Sequence, residues 1–200
     1  MALHSNDPDN IIKVISEMMT DRGFPPTNTI NTNSKLDIEY TTNPPILIGE
    51  NELGELAFAF WVLEPKLGVH ALRKIMCSIQ TIPEFSQVII VCEEGSTSFT
   101  EKQIKESDWA DVISVFKLRE VRRNITKHSY VPKHTRCNSI ETHALLKKYN
   151  ILDVNNLPLL YRNDPIAQYY KFTPGDIIRI DRRGQFQTAQ PYFRLVVNPP

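Results

Sequence analysis

Three side chains around the first buried strand of the chain have the residue types of a metal-dependent nuclease site. Glu64 and Lys66 end a continuous apolar run, LAFAFWVL, and Asp37 lies upstream of it. In the PD-(D/E)xK arrangement two carboxylates hold a divalent cation, and the lysine orients or stabilises the attacking hydroxide. An ordinary solvated strand end has the same composition. The sequence therefore admits a PD-(D/E)xK-type nuclease as an alternative function.

A second group of side chains has the residue types of a zinc site. It consists of His128, His134, Cys137 and His143, which include one His-x-x-Cys. Zinc requires four nitrogen or sulfur ligands that converge tetrahedrally, but the spacing here is irregular and His143 falls inside a predicted helix. Packing and hydrogen bonding around the intervening Val-Pro turn explain the first two histidines equally well. The favoured prediction is that the chain has no metal or other cofactor.

Basic and aromatic residues are interleaved towards the C-terminus, as in many nucleic-acid surfaces. The basic members are Arg179, Arg182, Arg183, Lys147 and Lys148, and the aromatic members are Tyr161, Tyr169 and Tyr170. All lie on predicted amphipathic elements, and a protein interface rich in tyrosine and arginine has the same composition. Direct nucleic-acid binding and a protein interface both remain open on these residues alone.

Composition predicts a globular intracellular protein. The chain has 200 residues, of which 41% are hydrophobic, so it can bury one good core or two small ones. It has no apolar run of the roughly 18 residues that a membrane span needs, and its N-terminus does not resemble a signal peptide. Cys77, Cys92 and Cys137 are widely spaced and form no CxxC pair, which favours reduced thiols over a disulfide framework.

The two parts of the chain carry opposite charge. Residues 1–125 contain 12 basic and 18 acidic side chains, whereas residues 126–200 contain 11 and 5, giving net charges of −6 and +6. Such an asymmetry suggests two units with different neighbours, the basic one facing acidic protein or nucleic acid. Two solvated surfaces that merely differ would give the same counts.

The first 118 residues predict a small α/β sandwich. A helix capped by Asp7-Pro8 ends at Gly23, a polar loop covers residues 25–35, and a half-buried strand covers residues 36–40. Buried strands over 56–63 and 88–92 flank a helix over 69–79, as in a parallel crossover. Ser98 and Glu101 have capping-box spacing for the next helix, and residues 112–118 predict a further strand.

The last third predicts a smaller α+β unit with a mixed sheet. Asn138 and Glu141 have capping-box spacing for a helix that runs to Tyr149, and Asp164-Pro165 begins a second helix. The segment DIIRI predicts a strand, the loop of a hairpin starts at Arg182, and YFRLVV is the return strand.

This C-terminal stretch resembles the fifth subunit of eukaryotic multisubunit RNA polymerases and the shorter archaeal counterpart of that subunit. The matching segments are NIT-H-VPKH from Asn124, LLKKYNI, Leu157-Pro158, DPIA-Y from Asp164, PGDIIRI from Pro174, and YFRLV. The N-terminal part is similar to the extra domain of the eukaryotic version in DRGF, EPKLGVHALRKI and VIIVCEEGST. Two loops depart from the family pattern, RGQFQTAQPY and STSFTEK, which suggests a divergent cellular or viral lineage.

The resemblance implies an N-terminal restriction-endonuclease-like α/β jaw domain, residues 1–123, and a C-terminal assembly domain, residues 124–200. It implies a non-catalytic polymerase subunit that docks on the largest subunit, contacts other polymerase subunits, and forms part of the lower jaw near downstream duplex DNA. No membrane partner is expected. A cellular member would be nuclear, and a viral one would lie in the host cytoplasm or the virion.

The resemblance also supplies candidate contact residues. Those for partner subunits are Val131, Pro132, His134, Leu157, Pro158, Asp164, Pro165, Tyr169 and Arg194. Those near DNA are Ser96, Thr97, Lys102 and Lys105. Each partner candidate has an alternative role in the fold of its own domain, and the DNA candidates could be an ordinary solvated loop and helix cap.

Overall fold

The computed structural model describes residues 8–29, 45–80, 82, 85–183 and 189–199. The chain forms two compact units, Met1–Asn124 and Ile125–Pro200, called here unit 1 and unit 2. Because Ile125 is uncharged, unit 1 carries the net charge of −6 and unit 2 that of +6. No helix within the described ranges has the length and apolar character to span a membrane.

The described part of unit 1 contains three α-helices and five strands. The helices are α1 (Pro8–Asp21), α2 (Val69–Ile79) and α3 (Ser98–Glu106). The strands are β1 (Pro26–Thr29), β2 (Leu47–Glu50), β3 (Leu56–Trp61), β4 (Phe85–Cys92) and β5 (Ile113–Lys117). They form one sheet in the order β1-β2-β3-β4-β5, antiparallel from β1 to β3 and parallel from β3 to β5.

The central strands of this sheet are buried on both faces. Phe58 and Phe60 of β3 pack in the same cluster as the apolar side of α2. The alternate residues Ala57 and Ala59 are also at most 1% exposed, although they point to the opposite face. A strand covered on both faces must be apolar throughout, which explains the run LAFAFW. Burying each phenylalanine stabilises the unit by about 1.5–3 kcal/mol.

Gly49 of β2 allows the chain after α1 to lie directly on the sheet. A Cβ atom at this position would be 2.4 Å from the Phe24 carbonyl oxygen and 3.0 Å from the Met19 methyl group. Glycine within a strand commonly marks such an approach of another backbone. The absence of a side chain at position 49 therefore fixes how closely α1 and its C-terminal turn pack.

Unit 2 contains a four-stranded sheet between two helices. The strands are β6 (Lys133–Arg136), β7 (Leu159–Tyr161), β8 (Ile177–Arg183) and β9 (Ala189–Val197), and the helices are α4 (Ser139–Lys148) and α5 (Pro165–Tyr170). The strand order is β6-β8-β9-β7. The β6–β8 and β8–β9 pairs are antiparallel, whereas β7 lies parallel to β9.

Each face of this sheet packs on one helix. On one face Ile178, Ile180 and Val196 pack with Ala167 of α5. On the other face, Ile177 and Leu195 pack with Leu145 of α4. These sets alternate along β8 and β9 because successive strand residues point to opposite faces.

Several predicted elements are confirmed. The helix α2 has the predicted bounds, and the parallel crossover from β3 to β4 is present. Gly23 adopts φ +88° two residues after the end of α1, a conformation that glycine permits. Asn138 and Glu141 form the predicted reciprocal capping box, and Asp164 caps α5 with Pro165 at its first position. The α/β class and the mixed sheet of unit 2 are confirmed.

Other predictions are wrong at particular residues. The predicted polar loop 25–35 contains β1, and the strands β2, β6 and β7 were not predicted. Thr97, not Ser98, is the N-cap of α3, since its side chain accepts a hydrogen bond from the Thr100 amide. The strand β8 continues through Arg182 and Arg183, where a loop was predicted. Asp7 and the predicted strand 36–40 lie outside the described residues.

Candidate protein interface in the C-terminal unit

The register of the sheet in unit 2 places several candidate residues on one face. His134 lies opposite Ile180, which lies opposite Tyr192. Arg136 and Arg194 lie on either side of Ile178 in the next row. Residues directly opposite each other in antiparallel strands share a face. These two rows therefore lie on the α5 side of the sheet.

His134 lies on the edge strand β6 of this group. Its Nδ1 atom lies 2.8 Å from the Pro132 carbonyl oxygen, to which it donates because a carbonyl can only accept. Asp164, Arg182 and Arg194 are close enough to influence its charge. Burial lowers the pKa of His134 below 6.5, against the opposing effects of the Pro132 hydrogen bond and Asp164. The imidazole is therefore neutral at pH 7.

Asp164 is the N-cap of α5, and its negative charge raises the pKa of His134. Its Oδ1 atom accepts a hydrogen bond of 2.9 Å from the Ile166 amide. Pro165 occupies the first helical position, where its missing N–H group has no consequence, and its side chain is exposed. Both residues thus fix the end of α5 that lies towards His134.

Two arginines complete the group. The Arg182 guanidinium lies over the Tyr192 ring at 4.9 Å from its centroid. Arg194 donates from Nη1 to the Leu159 carbonyl oxygen at 3.0 Å, which attaches its side chain to β7. We call His134, Asp164, Arg182, Tyr192 and Arg194 together the His134 face.

The remaining partner candidates divide between surface and core. Val131 and Pro132 are half-buried and precede β6, and Pro158 is exposed before β7. Tyr169 is only 2% exposed, and Leu157 is 7% exposed in the cluster on the α4 side. As unit 2 stands, Leu157 and Tyr169 are positioned to support its fold, whereas His134, Asp164 and Arg194 are brought together.

Arg182 and Tyr192 were not among the partner candidates. The signal was present in the alternation of IIRIDRR, which places Ile178, Ile180 and Arg182 on one face of a strand. The predicted loop start at Arg182 hid this alternation. Tyr192 required the hairpin register, which pairs it with Ile180.

The candidate DNA-proximal turn of unit 1 is internally hydrogen-bonded. The Thr97 hydroxyl pairs with the Thr100 hydroxyl at 2.8 Å, and Ser96 Oγ donates to Glu101 Oε1 at 2.9 Å. The Glu101 carboxylate is thereby held in the first turn of α3, where an incoming anion would otherwise be favoured. Lys102 Nζ lies 3.8 Å from Glu106 Oε1 across one helical turn.

The residues of the nuclease alternative do not form a described site. Glu64 and Lys66 are exposed, and Lys66 Nζ forms an ion pair of 3.4 Å with Glu94. Asp37 lies outside the described residues. In the described ranges, no three histidine, cysteine, aspartate or glutamate side chains are grouped to hold a metal ion.

The histidines of the zinc alternative are likewise dispersed. His128 Nδ1 accepts a hydrogen bond of 3.3 Å from the Tyr130 amide. His143 is exposed on α4, whereas Cys137 packs at the margin of the cluster on the α4 side of the sheet. Burial raises the pKa of the Cys137 thiol, which disfavours the thiolate that a metal would bind. His134 lies on the α5 side.

The interleaved basic and aromatic residues do not share one surface. Arg179 and Arg182 are three positions apart on β8 and therefore point to opposite faces. Lys147 and Lys148 belong to α4, on the Arg179 side. Tyr169 is buried. The composition that suggested a nucleic-acid surface thus divides between two faces of unit 2.

Comparisons with known proteins identify the family. Residues 123–196 match the family described as RNA polymerase Rpb5, C-terminal domain. The chain is 26% identical over 205 residues to the DNA-directed RNA polymerases I, II, and III subunit RPABC1 of Caenorhabditis elegans, covering 94% of each chain. It is 30% identical over 142 residues to the rpabc1 subunit of Dictyostelium discoideum, covering 70% of this chain and 71% of the relative.

Among solved structures, the DNA-bound ATP-dependent Type ISP restriction-modification enzyme LlaBIII overlaps 76% of this chain and 10% of its own. The identity is 11% and the TM-score is 0.41. A restriction-endonuclease-like fold for unit 1 is thus not confirmed. Similarity to the RPABC1 subunits, by contrast, extends through both units. The chain belongs to the Rpb5 family, which consists of non-catalytic subunits of DNA-directed RNA polymerases.

Proposed function

We propose that this polymerase subunit docks on the largest subunit of its enzyme through the His134 face, while unit 1 forms part of the lower jaw near downstream DNA. The observation that carries the docking proposal is the location of the family match. The matched residues, 123–196, include every member of the His134 face.

The chemistry of this face suits a protein partner. Its members combine an aromatic side chain, two arginines, a carboxylate and a neutral histidine, and tyrosine and arginine are enriched at protein interfaces. Three prolines of unit 2 also have accessible surface: Pro132 is half-buried, and Pro158 and Pro165 are exposed. The backbone of a proline loses little conformational freedom on binding, so these positions are suitable rims for a few buried anchors.

The candidate core residues have a different role in this proposal. Leu157 packs in the cluster on the α4 side of the sheet and Tyr169 is buried in α5, so both would affect docking only through the fold of unit 2. Val131 is hydrogen-bonded through its amide to the His128 carbonyl at 2.9 Å, which shapes the turn entering β6. We therefore assign direct contacts to His134, Asp164 and Arg194.

For the jaw, contact with DNA is local. A unit with net charge −6 repels duplex phosphates on average. The hydroxyls of Ser96 and Thr97 are hydrogen-bonded within the turn, and the Thr97 amide donates to the Leu67 carbonyl oxygen at 3.2 Å, so none of these three groups is available to a phosphate. Lys105 is exposed in the last turn of α3 and, with Lys102, is the proposed source of attraction.

Relatives that are subunits of eukaryotic RNA polymerases favour the nucleus as the location of a cellular member. For a viral member we propose the host cytoplasm or the virion. The nuclease alternative gains no support from the exposed Glu64 and the ion-paired Lys66.

Affinity purification of the tagged full-length chain from its source, followed by mass spectrometry, tests this function. We expect the largest polymerase subunit among the stoichiometric partners. The variant Arg194→Glu should reduce that recovery, whereas Lys74→Glu, an exposed substitution on α2, should not. Absence of every polymerase subunit from the purified material would refute the proposed function.

A further inference from the structure

We propose that Arg182 and Arg194 on the His134 face bind carboxylate side chains of an acidic segment in the polymerase partner. This inference rests on the proposed function and adds the chemistry of the partner segment. It assigns a direct role in partner recognition to Arg182. The sequence predicts a loop at this residue, but the structure shows it within β8.

The geometry holds Arg182 in a conformation suited to a carboxylate. Tyr192 supports its guanidinium at 4.9 Å from the ring centroid, and the tyrosine itself is 46% exposed. Stacking on an aromatic face restrains the planar group while leaving its N–H edge available for two parallel hydrogen bonds. Bidentate pairing with a carboxylate uses that edge.

Two other arginines of unit 2 already have carboxylate partners. Arg136 pairs with Asp176 at 3.1 Å, and Arg179 pairs with Asp181 at 2.8 Å. Within the described ranges, neither Arg182 nor Arg194 forms an ion pair. Asp164 raises the pKa of His134, whereas the two arginines lower it, and the Asp164 carboxylate accepts a hydrogen bond from the Ile166 amide.

The position of Arg194 gives the proposed site a second cation. It lies opposite Ile178, one row along the sheet from the Ile180–Tyr192 pair. Its Nη1 atom donates to the Leu159 carbonyl, so one end of the guanidinium is anchored within unit 2. A guanidinium has five N–H donors, and this bond uses one of them. An acidic segment with more than one carboxylate could therefore contact both arginines.

A protein segment fits this surface better than a nucleic acid. Non-specific nucleic-acid affinity requires several cations along a phosphate backbone, and Arg179, Lys147 and Lys148 lie on the α4 side of the sheet. The net charge of +6 on unit 2 still favours the approach of an acidic partner.

The test uses the full-length chain co-expressed with the largest subunit from the same source. Binding of Arg182→Glu should be weaker by about tenfold or more, the scale of an interface hot spot. The matched control is Lys147→Glu, which makes the same change of charge on the α4 side and should leave affinity within about twofold. Raising the salt concentration should weaken wild-type binding more than binding of Arg182→Ala.

A zero-length cross-link identifies the partner group directly. In the complex of the Arg182→Lys variant, a carbodiimide should join the lysine Nζ atom to an aspartate or glutamate of the partner. An amide bond forms and the carbodiimide is converted to its urea. The control variant Arg179→Lys, on the opposite face of the same strand, should not give that product. Mass spectrometry of the linked peptides locates the acidic segment.

The outcomes separate the two proposals. If the wild-type chain does not bind the largest subunit, the proposed function fails. If it binds but Arg182→Glu has unchanged affinity and the Arg182→Lys variant gives no cross-link, the acidic-segment proposal is wrong. Tight binding of a duplex DNA probe that is lost in Arg182→Glu would also overturn it, in favour of phosphate recognition.

Discussion

Arg136 and Asp176 form an ion pair of 3.1 Å in which the aspartate side chain is only 18% exposed. The same Asp176 oxygen accepts hydrogen bonds from the Thr173 amide at 2.7 Å and its hydroxyl at 3.0 Å. Asp176→Ala should lower the free energy of unfolding of unit 2 by about 2–3 kcal/mol, because it removes the ion-pair partner of Arg136 and leaves the Thr173 amide and hydroxyl without their acceptor. Chemical denaturation measures this change.

The matched control for Asp176 is Asp181→Ala. Asp181 pairs with Arg179 at 2.8 Å, and the two arginines are similarly exposed, at 49% for Arg136 and 48% for Arg179, but Asp181 lacks the counterpart of the Thr173 hydrogen bonds among the described residues. Exposed pairs contribute about 0–1 kcal/mol. An equal loss of unfolding free energy in the two variants would show that the Thr173 hydrogen bonds do not add to the stability of unit 2.

The cap of α3 gives a second prediction. Thr97→Ala should destabilise unit 1 by about 1 kcal/mol, because the threonine oxygen accepts from the Thr100 amide at 3.3 Å. Ser98→Ala should have less than half that effect, since Ser98 is the first helical residue. A larger loss for Ser98→Ala in thermal unfolding would restore the cap position predicted from the sequence.

Stability should depend on the protonation of His134. Burial lowers its pKa in the folded chain below 6.5, so the unfolded chain binds the proton more readily. The free energy of unfolding therefore falls as pH drops from about 6.5 towards the folded-state pKa. The variant His134→Gln lacks this titration and should lose less stability than the wild type between about pH 7 and pH 5. Denaturation at a series of pH values checks the difference, and parallel pH profiles would contradict it.

The proposed jaw contact predicts a charge effect inside the assembled enzyme. Lys102→Glu combined with Lys105→Glu should reduce cross-linking of the polymerase to downstream DNA. The control Lys13→Glu, on the exposed side of α1, should not. Unchanged cross-linking in the double variant would remove both lysines from the DNA path.

The same charge argument predicts how unit 1 behaves alone. A fragment of residues 1–124 should not bind duplex DNA measurably near physiological salt, because its net charge is −6. A binding titration with duplex DNA measures this. Tight binding by the fragment would contradict the charge argument itself.

Local signals predicted the elements that local chemistry determines. The periodicity of VHALRKIMCSI defined α2 because its apolar residues recur on one side of a helix. Asn138 and Asp164 were recognisable as caps because their side chains bond to amides only two or three residues away. The run LAFAFW was recognisable as a doubly covered strand.

The missed strands depend on partners far along the chain. The segment KHTR of β6 has no apolar alternation, and it becomes a strand by pairing with residues 178–181. Likewise, β7 has three residues and is defined by its parallel register with residues 195–197. The His134 face could not be predicted as a cluster for the same reason. His134, Asp164, Arg182 and Arg194 are adjacent only once these long-range pairings are made.

The strand order of unit 2 also determines when its parts can assemble. The two outer strands, β6 and β7, come first in the chain, but each pairs only with a strand of the later β8–β9 hairpin. During synthesis, residues 133–176 are therefore made before any strand exists for them to join. By contrast, every strand of the unit 1 sheet has been made once Lys117 is added. Non-local pairing delays folding, so we expect a nascent chain in which unit 1 is complete while unit 2 still exposes its apolar segments to chaperones.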